Sequence, residues 1–245
     1  MKVAVILPAA GLGTRMGKAS AQKTGTSRKQ FMLLDGAPIL LHTVRKFAAS
    51  RRVDEIVVAV RGDDLDWVAK LLASEFRGRN VRVVEGGNSR QESVENALRA
   101  LDADTGLVAV HDAVRPFIDL ETIEKVIDEA ADTGAAIVGV VPVDTVKQVS
   151  RAQTNRARIR ATLPREKLVL AQTPQVFRYD LLVRAFAAAR EDGFAGTDES
   201  SLVERLDQVE VSVVPGSDRN IKITKPSDMD LARLFLASES APREL

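Results

Sequence analysis

Short apolar runs rich in β-branched residues recur along this chain, and each is followed by apolar positions at helical spacing. Repeated strand-then-helix patterning restricts the fold severely. Both patterns are buried together when the strands line up in a mostly parallel sheet and the helices cover its two faces. The predicted strands are Lys2–Leu7, Glu55–Val60, Val81–Val84, Leu107–His111, Ala135–Val141, Leu168–Ala171 and Val209–Val214. The predicted helices are Ile39–Ala49, Leu65–Glu75, Gln91–Leu101, Leu120–Ala131, Leu181–Ala189, Glu199–Leu206 and Met229–Leu236. A run that is apolar throughout, such as Ala135-Ala136-Ile137-Val138-Gly139-Val140-Val141, suits a strand buried on both faces. The expectation is an α/β fold occupying residues 1–245 as one domain, since 245 residues at 45% hydrophobic content supply a full core.

Two polar segments interrupt the alternation. Lys18–Lys29 carries Lys18, Lys23, Arg28 and Lys29 without an apolar period, and reads as a flexible loop or a solvated insertion. Asp144–Lys167 carries Arg151, Arg156, Arg158, Arg160, Arg165 and Lys167. The alternation in Arg158-Ile159-Arg160-Ala161-Thr162-Leu163 predicts a two-stranded arm projecting from the domain. Charges on such an arm can simply protect exposed strand edges. A nucleic-acid surface is a weaker reading, because no aromatic side chain is interleaved for base stacking.

The first strand runs directly into Pro8-Ala9-Ala10-Gly11-Leu12-Gly13-Thr14-Arg15-Met16-Gly17. Small residues after a buried strand let a phosphate or a base approach the backbone, and Arg15 adds a fixed positive charge. The loop is neither of the two common phosphate cradles. Met16 stands where a dinucleotide fingerprint needs its third glycine. Only three residues separate Gly13 from Gly17-Lys18, and Ala19 replaces the Ser/Thr of a Walker loop.

Ligands of open parallel sheets bind beyond the carboxyl ends of the strands. Most polar clusters of this chain fall there: Gly86-Gly87-Asn88-Ser89-Arg90-Gln91-Glu92-Ser93, His111-Asp112-Ala113-Val114-Arg115-Pro116, and Pro142-Val143-Asp144-Thr145-Val146-Lys147. Asn220-Ile221-Lys222-Ile223-Thr224 lies near the end. A carboxylate at Asp112, closing an apolar strand, needs a metal ion, an ion-pair partner such as Arg115, or a helix end to cap. His111 is more an orienting or structural histidine than a base, His42 a packing residue, and Asp198-Glu199 a helix N-terminus. Lys29 and Lys222 are either surface lysines or phosphate partners.

No Ser/His/Asp arrangement and no evident carboxylate pair is present. A reaction whose nucleophile is already a phosphate dianion needs no general base, only positioning and Arg, Lys and Mg²⁺ to spread charge. The residue types therefore point to nucleotidyl transfer onto an anionic acceptor. The chain contains no cysteine, which excludes disulfides and thiol chemistry and suits a cytoplasmic enzyme. A net charge of +1 gives no reason to invoke nucleic acid, and no apolar run reaches a membrane-spanning length.

The motif set resembles the 2-C-methyl-D-erythritol 4-phosphate cytidylyltransferase family of isoprenoid biosynthesis over roughly residues 3 to 236. The blocks, in order, are Pro8-Ala9-Ala10-Gly11-x-Gly13-x-Arg15-Met16, Lys29-Gln30-Phe31, Gly87-x-x-Arg90-x-x-Ser93-Val94, and Val110-His111-Asp112-Ala113-x-Arg115-Pro116. Pro142-Val143-x-Thr145-x-Lys147, Gln172-Thr173-Pro174-Gln175-x-Phe177, Thr197-Asp198-Glu199 and Asn220-Ile221-Lys222-Ile223-Thr224 follow. The resemblance implies a Rossmann-like three-layer nucleotidyltransferase fold and Mg²⁺-dependent transfer of CMP from CTP to a sugar-alcohol phosphate. By the same resemblance, Arg15 and Lys29 stabilise the pentacoordinate α-phosphate, and Asp112 and Lys222 hold the metal and the triphosphate. Pro8, Ala9, Ala10, Gly11, Gly13, Gly87, Asn88, Arg90, Ser93 and Ala113 belong to the nucleotide pocket. Arg115, Thr145 and Arg165 match residues around the acceptor. The arm at 144–167 matches a dimerisation arm, which implies a homodimer whose Thr145 and Arg165 serve the partner subunit's site. The chain departs from the family in a longer Met16–Lys29 loop and in Asn88, where some members carry Asp.

The closest rival is a sister cytidylyltransferase acting on ribitol 5-phosphate, in which Ala-Gly-Gly tends to replace Ala9-Ala10-Gly11. Sugar-1-phosphate uridylyl- or thymidylyltransferases share the opening motif but not the His111-Asp112-Ala113 and Gln172-Thr173-Pro174-Gln175 blocks. A silent nucleotide sensor predicts loss of Arg15, Lys29 or Lys222, and all three are present.

Overall fold

The computed structural model describes residues 1–12, 28–150 and 157–240. Strand β1 (Lys2–Pro8) lies near the middle of a seven-stranded sheet. Its side chains alternate between the faces: Val3, Val5 and Leu7 join one buried cluster, Ala4 and Ile6 the other. On one side of β1 lie β4 (Glu55–Val60) and then β5 (Val81–Glu85), both parallel. On the other lies β6 (Thr105–Val110), also parallel. Beyond it come β10 (Leu170–Arg178), β7 (Ala135–Val140) and β11 (Ser212–Pro215). β10 runs antiparallel to both of its neighbours, so the sheet is mostly parallel, as the patterning predicts.

One face of the sheet is covered by α1 (Ile39–Ala48), α2 (Leu65–Glu75) and α4 (Leu120–Thr133), which bury Leu40, Phe47, Leu72 and Ile123 against it. The other is covered by α3 (Arg90–Arg99), α5 (Tyr179–Glu191) and α6 (Glu199–Glu204), with Val94, Leu181 and Leu202 inward. Asp119 caps the start of α4 by accepting from the Thr122 N–H, and Gly134 ends it at φ 94°, where a side chain would be strained. The closing helix α7 (Pro226–Ser240) packs Met229 and Ala232 with Met32, Ile39 and Phe117 in a smaller cluster.

Several predicted boundaries need correction. The strand predicted at Leu168–Ala171 begins at Leu170 and continues to Arg178, although Pro174 stands inside it. Its pairing to β7 shifts register between Ala171 and Gln175, so the proline falls where the ladder is already interrupted. The strand predicted from Val209 begins only at Ser212. A hairpin of β2 (Leu33–Leu34) and β3 (Ala37–Pro38) is absent from the patterning, yet Asp35-Gly36, at φ 49° and 77°, is the sequence pair that a tight primed turn favours. Of the predicted loop at 18–29, residues 18–27 lie outside the described residues, and Lys29–Phe31 form a short 3₁₀ turn. The predicted arm is present as β8 (Val146–Ser150) paired antiparallel with β9 (Arg158–Leu163), a two-stranded sheet separate from the main one.

Candidate active site

Three segments that follow strands converge at the carboxyl edge of the sheet. After β1, the Ala9 N–H continues the ladder by donating to the Ala59 carbonyl (2.7 Å). The side-chain amide of Gln30 then donates to the carbonyls of Ala9 (2.5 Å) and Gly11 (3.1 Å), fixing the curve of this small-residue loop. After β5, Ser89 caps α3 by accepting from the Glu92 N–H, while the Glu92 carboxylate accepts from the Asn88 N–H. Ser93 Oγ accepts from the Gly87 N–H (3.0 Å) and donates to the Ser89 carbonyl (2.7 Å). A Cβ on Gly86 would meet Ala10 Cβ at 2.7 Å, so the two turns are in contact and together form one wall. At Gly11 a Cβ would find no described atom within 4 Å.

After β6 come His111 and Asp112, both buried. Asp112 Oδ1 accepts from Arg90 Nε (3.1 Å), and Oδ2 from Arg115 Nε (3.2 Å) and Lys222 Nζ (2.8 Å). Burial pushes this carboxyl up. The charges of Arg90, Lys222 and Arg115 together outweigh burial and hold it far below the usual carboxylate range. Arg90 also grips Glu199 bidentately, at 2.6 and 2.9 Å. Burial is the largest influence on Glu199 and pushes its carboxyl above the ordinary value against the pull of Arg90.

His111 Nε2 lies 3.0 Å from the Arg115 carbonyl, and Nδ1 lies 3.1 Å from Thr173 Oγ1. A carbonyl only accepts, so Nε2 is assigned the proton and Nδ1 accepts from the Thr173 hydroxyl. Burial lowers the imidazole pKa to about 4, which keeps the ring neutral. Thr173 Oγ1 in turn accepts from the Asp112 N–H (3.0 Å). His111 is thus an orienting residue that joins β6, β10 and the Arg115 turn.

These segments enclose a cavity of about 240 Å³ that is lined by Pro8, Ala9, Ala10, Gly11, Lys29, Gly87, Asn88, Arg90, Ser93, Asp112, Ala113 and Lys222, all expected from sequence. Gln30, Ser89 and Val114 line it as well. Arg15 and Gly13 lie outside the described residues. Arg115 is not part of the lining; it braces Asp112 and donates to the Asn220 carbonyl (2.7 Å). Thr145 and Arg165 belong to the arm region and do not line the cavity, with the Arg165 guanidinium bonded to the Val143 carbonyl.

Sequence reasoning missed Gln30, Thr173 and Glu199 as site residues. All three stand inside recognised blocks, and for Gln30 and Thr173 a buried amide or hydroxyl there signals a backbone clamp. Asp198 does cap α6, as expected, but Glu199 turns inward to Arg90. Among the described residues no group of three or more His, Cys, Asp or Glu side chains is placed to hold a metal.

The family model for 2-C-methyl-D-erythritol 4-phosphate cytidylyltransferase matches residues 3–238. A relative of that name from Solibacter usitatus is 75% identical over 241 residues, covering 98% of each chain. Another, from Acidobacterium capsulatum, is 51% identical and covers 98% of this chain and 100% of its own. Among solved structures, a 4-diphosphocytidyl-2C-methyl-D-erythritol synthase from Anaerococcus prevotii superposes with a TM-score of 0.81 at 30% identity, covering 96% of this chain and 98% of its own. A 2-C-methyl-D-erythritol 4-phosphate cytidylyltransferase from Thermus thermophilus does so with 0.75 at 32% identity, covering 97% and 100%. Matched along nearly its whole length in both sequence and fold, the chain belongs to the 2-C-methyl-D-erythritol 4-phosphate cytidylyltransferase family of nucleotidyltransferases.

Proposed function

We propose that the cavity beneath the first glycine loop is where this chain performs the family reaction, transfer of CMP from CTP to 2-C-methyl-D-erythritol 4-phosphate with release of pyrophosphate. One observation carries the assignment. Arg90, Lys222 and Asp112 sit together on the floor of a cavity walled by small-residue turns, so anionic phosphates meet cations where the backbone can be closely approached. The relatives bear the methylerythritol name, which does not favour ribitol 5-phosphate as acceptor.

In this reading Ala9, Ala10, Gly11, Gly13, Gly87, Asn88, Ser93 and Ala113 take the cytidine, and Lys222 takes the triphosphate while Arg90 braces Asp112. The acceptor phosphate is already ionised near neutral pH, so its oxygen attacks the α-phosphorus without a protein base. The bond to pyrophosphate breaks as the new one forms. Lys29 and Arg15 spread the charge that builds on the α-phosphate. Asp112 fits a hard cation that arrives with the triphosphate: it is buried, firmly ionised and oxygen-donating, and Mg²⁺ commonly takes one or two carboxylates plus phosphates and water. Such an ion, when bound, would neutralise charge on the phosphates.

The arm supports a homodimer. A lone two-stranded sheet is marginal by itself, and this one leaves Val149 and Ile159 exposed close to Val143 in sequence, which is 77% exposed. In that dimer Thr145 and Arg165, with Arg115, serve the acceptor phosphate. No helix among the described residues is long and apolar enough to cross a membrane, and the cysteine-free composition suits the cytoplasm. The test is pyrophosphate release from CTP and Mg²⁺ with methylerythritol 4-phosphate and ribitol 5-phosphate offered in parallel. Release with the first alone is expected; release with the second alone overturns the acceptor, and release with neither overturns the reaction.

A further inference from the structure

Glu199 is 1% exposed, lies outside the cavity lining, and approaches Arg90 from a helix remote in sequence. Buried ion pairs of this kind contribute little net stability, because desolvation offsets most of the attraction. The geometry gives Glu199 a different task. Arg90 Nη1 and Nη2 each give one N–H to Glu199, at 2.6 and 2.9 Å, which fixes the plane of the guanidinium, and Nε meets Asp112 at 3.1 Å. Glu199 is itself held in place: its N–H donates to Gln175 Oε1 (3.1 Å), and Gln175 Nε2 donates to the Asp198 cap (2.8 Å).

A carboxylate offers about four acceptor positions. At Asp112 the described residues fill three: Arg90 Nε on Oδ1, and Arg115 Nε and Lys222 Nζ on Oδ2. Guanidinium and carboxylate otherwise favour a two-pronged contact. An Arg90 released from Glu199 would be free to turn its fork onto both oxygens of Asp112, and because Arg115 and Lys222 already fill Oδ2, the second prong would displace Lys222. We infer that Glu199 is a positioning residue for the nucleotide site: by holding the outer nitrogens of Arg90 it keeps Lys222 seated beside Asp112, in the place where the triphosphate arrives. This rests on the reading that the cavity takes CTP.

The test is calorimetric titration of CTP with Mg²⁺, without acceptor, into the full chain and its Glu199→Gln, Arg90→Met and doubly substituted variants. Glu199→Gln is expected to weaken CTP about tenfold or more, as loss of one partner of a buried charged pair does. In the Arg90→Met background the same change should alter affinity by less than about twofold, because no fork is left to misplace. Unchanged affinity in Glu199→Gln overturns the proposal, and so does a full loss that persists in the Arg90→Met background. If Glu199→Gln does not fold, Glu199→Asp, which keeps the charge but draws it back by one methylene, is judged by the same pair of comparisons. A wild-type chain that binds no CTP overturns the nucleotide reading and this role together, whereas failure of this role alone leaves wild-type binding intact.

Discussion

Asp112→Asn removes the negative charge on which Arg90, Arg115 and Lys222 converge while preserving the volume of the side chain. Breaking a buried charge pair costs about 3–5 kcal/mol, because the stranded partner keeps its desolvation penalty. Two features place this site at the low end. The Lys222 side chain is 35% exposed and regains water, and Arg90 retains Glu199. Arg115, 13% exposed, loses most. We therefore expect a loss of about 3 kcal/mol. In a chain of this size each kcal/mol lowers Tm by about 2–4 °C, so the shift is about 6–12 °C. Urea titration read through the single tryptophan, Trp67, which packs edge-on against Phe31 at 4.7 Å, measures the free energy directly. The same variant should lose Mg²⁺-dependent CTP binding yet still bind pyrophosphate without metal, since its cations are unopposed. A stability loss below about 1 kcal/mol would refute the claim that the three cations depend on Asp112.

Two glycines separate structure from binding. Gly87→Ala places a Cβ 2.3 Å from Glu92 Cβ, so it should cost about 1–3 kcal/mol in denaturant and weaken CTP as well. Gly11→Ala meets no described atom within 4 Å, so its Tm should hold while CTP affinity falls, and a Tm loss matching that of Gly87→Ala would contradict this. His111 carries a pH signature: its pKa is about 4 in the fold and about 6.5 unfolded, so the unfolded chain binds the proton first. Stability is full above about pH 6.5 and falls as the pH drops toward 4, by roughly 2 kcal/mol between pH 7 and 5 from this group, a slope that His111→Gln should flatten. Ile159→Asp, at an arm position 66% exposed, should convert a dimer to monomer by light scattering, and an unchanged mass would remove the arm from the interface. Lys29→Ala should lower kcat about 100-fold or more in the pyrophosphate assay, and normal turnover would take Lys29 out of the chemistry.

The sheet and most of its helices were legible because burial has a period. β4 and α2 occur where the apolar pattern places them, since a strand buried on both faces and a helix buried on one leave different marks in sequence. The glycine turns and the cavity lining were legible for a related reason: small residues and polar clusters follow strands whose carboxyl ends share one edge. Sequence did not reveal the direction of β10, which contains a proline and depends on the gap between β6 and β7. Nor did it reveal that Arg90, Arg115 and Lys222 all meet Asp112. That depended on side chains from α3, from the turn after β6 and from the segment before α7 meeting at one carboxylate. Glu199 is the clearest case. Within the Thr197-Asp198-Glu199 block it follows the Asp198 cap, and local rules read it only as part of a helix start. Only the packing of α6 beside α3 turns it inward to Arg90, 109 residues away, because contacts at such separation are set by which elements share a face and not by local propensity.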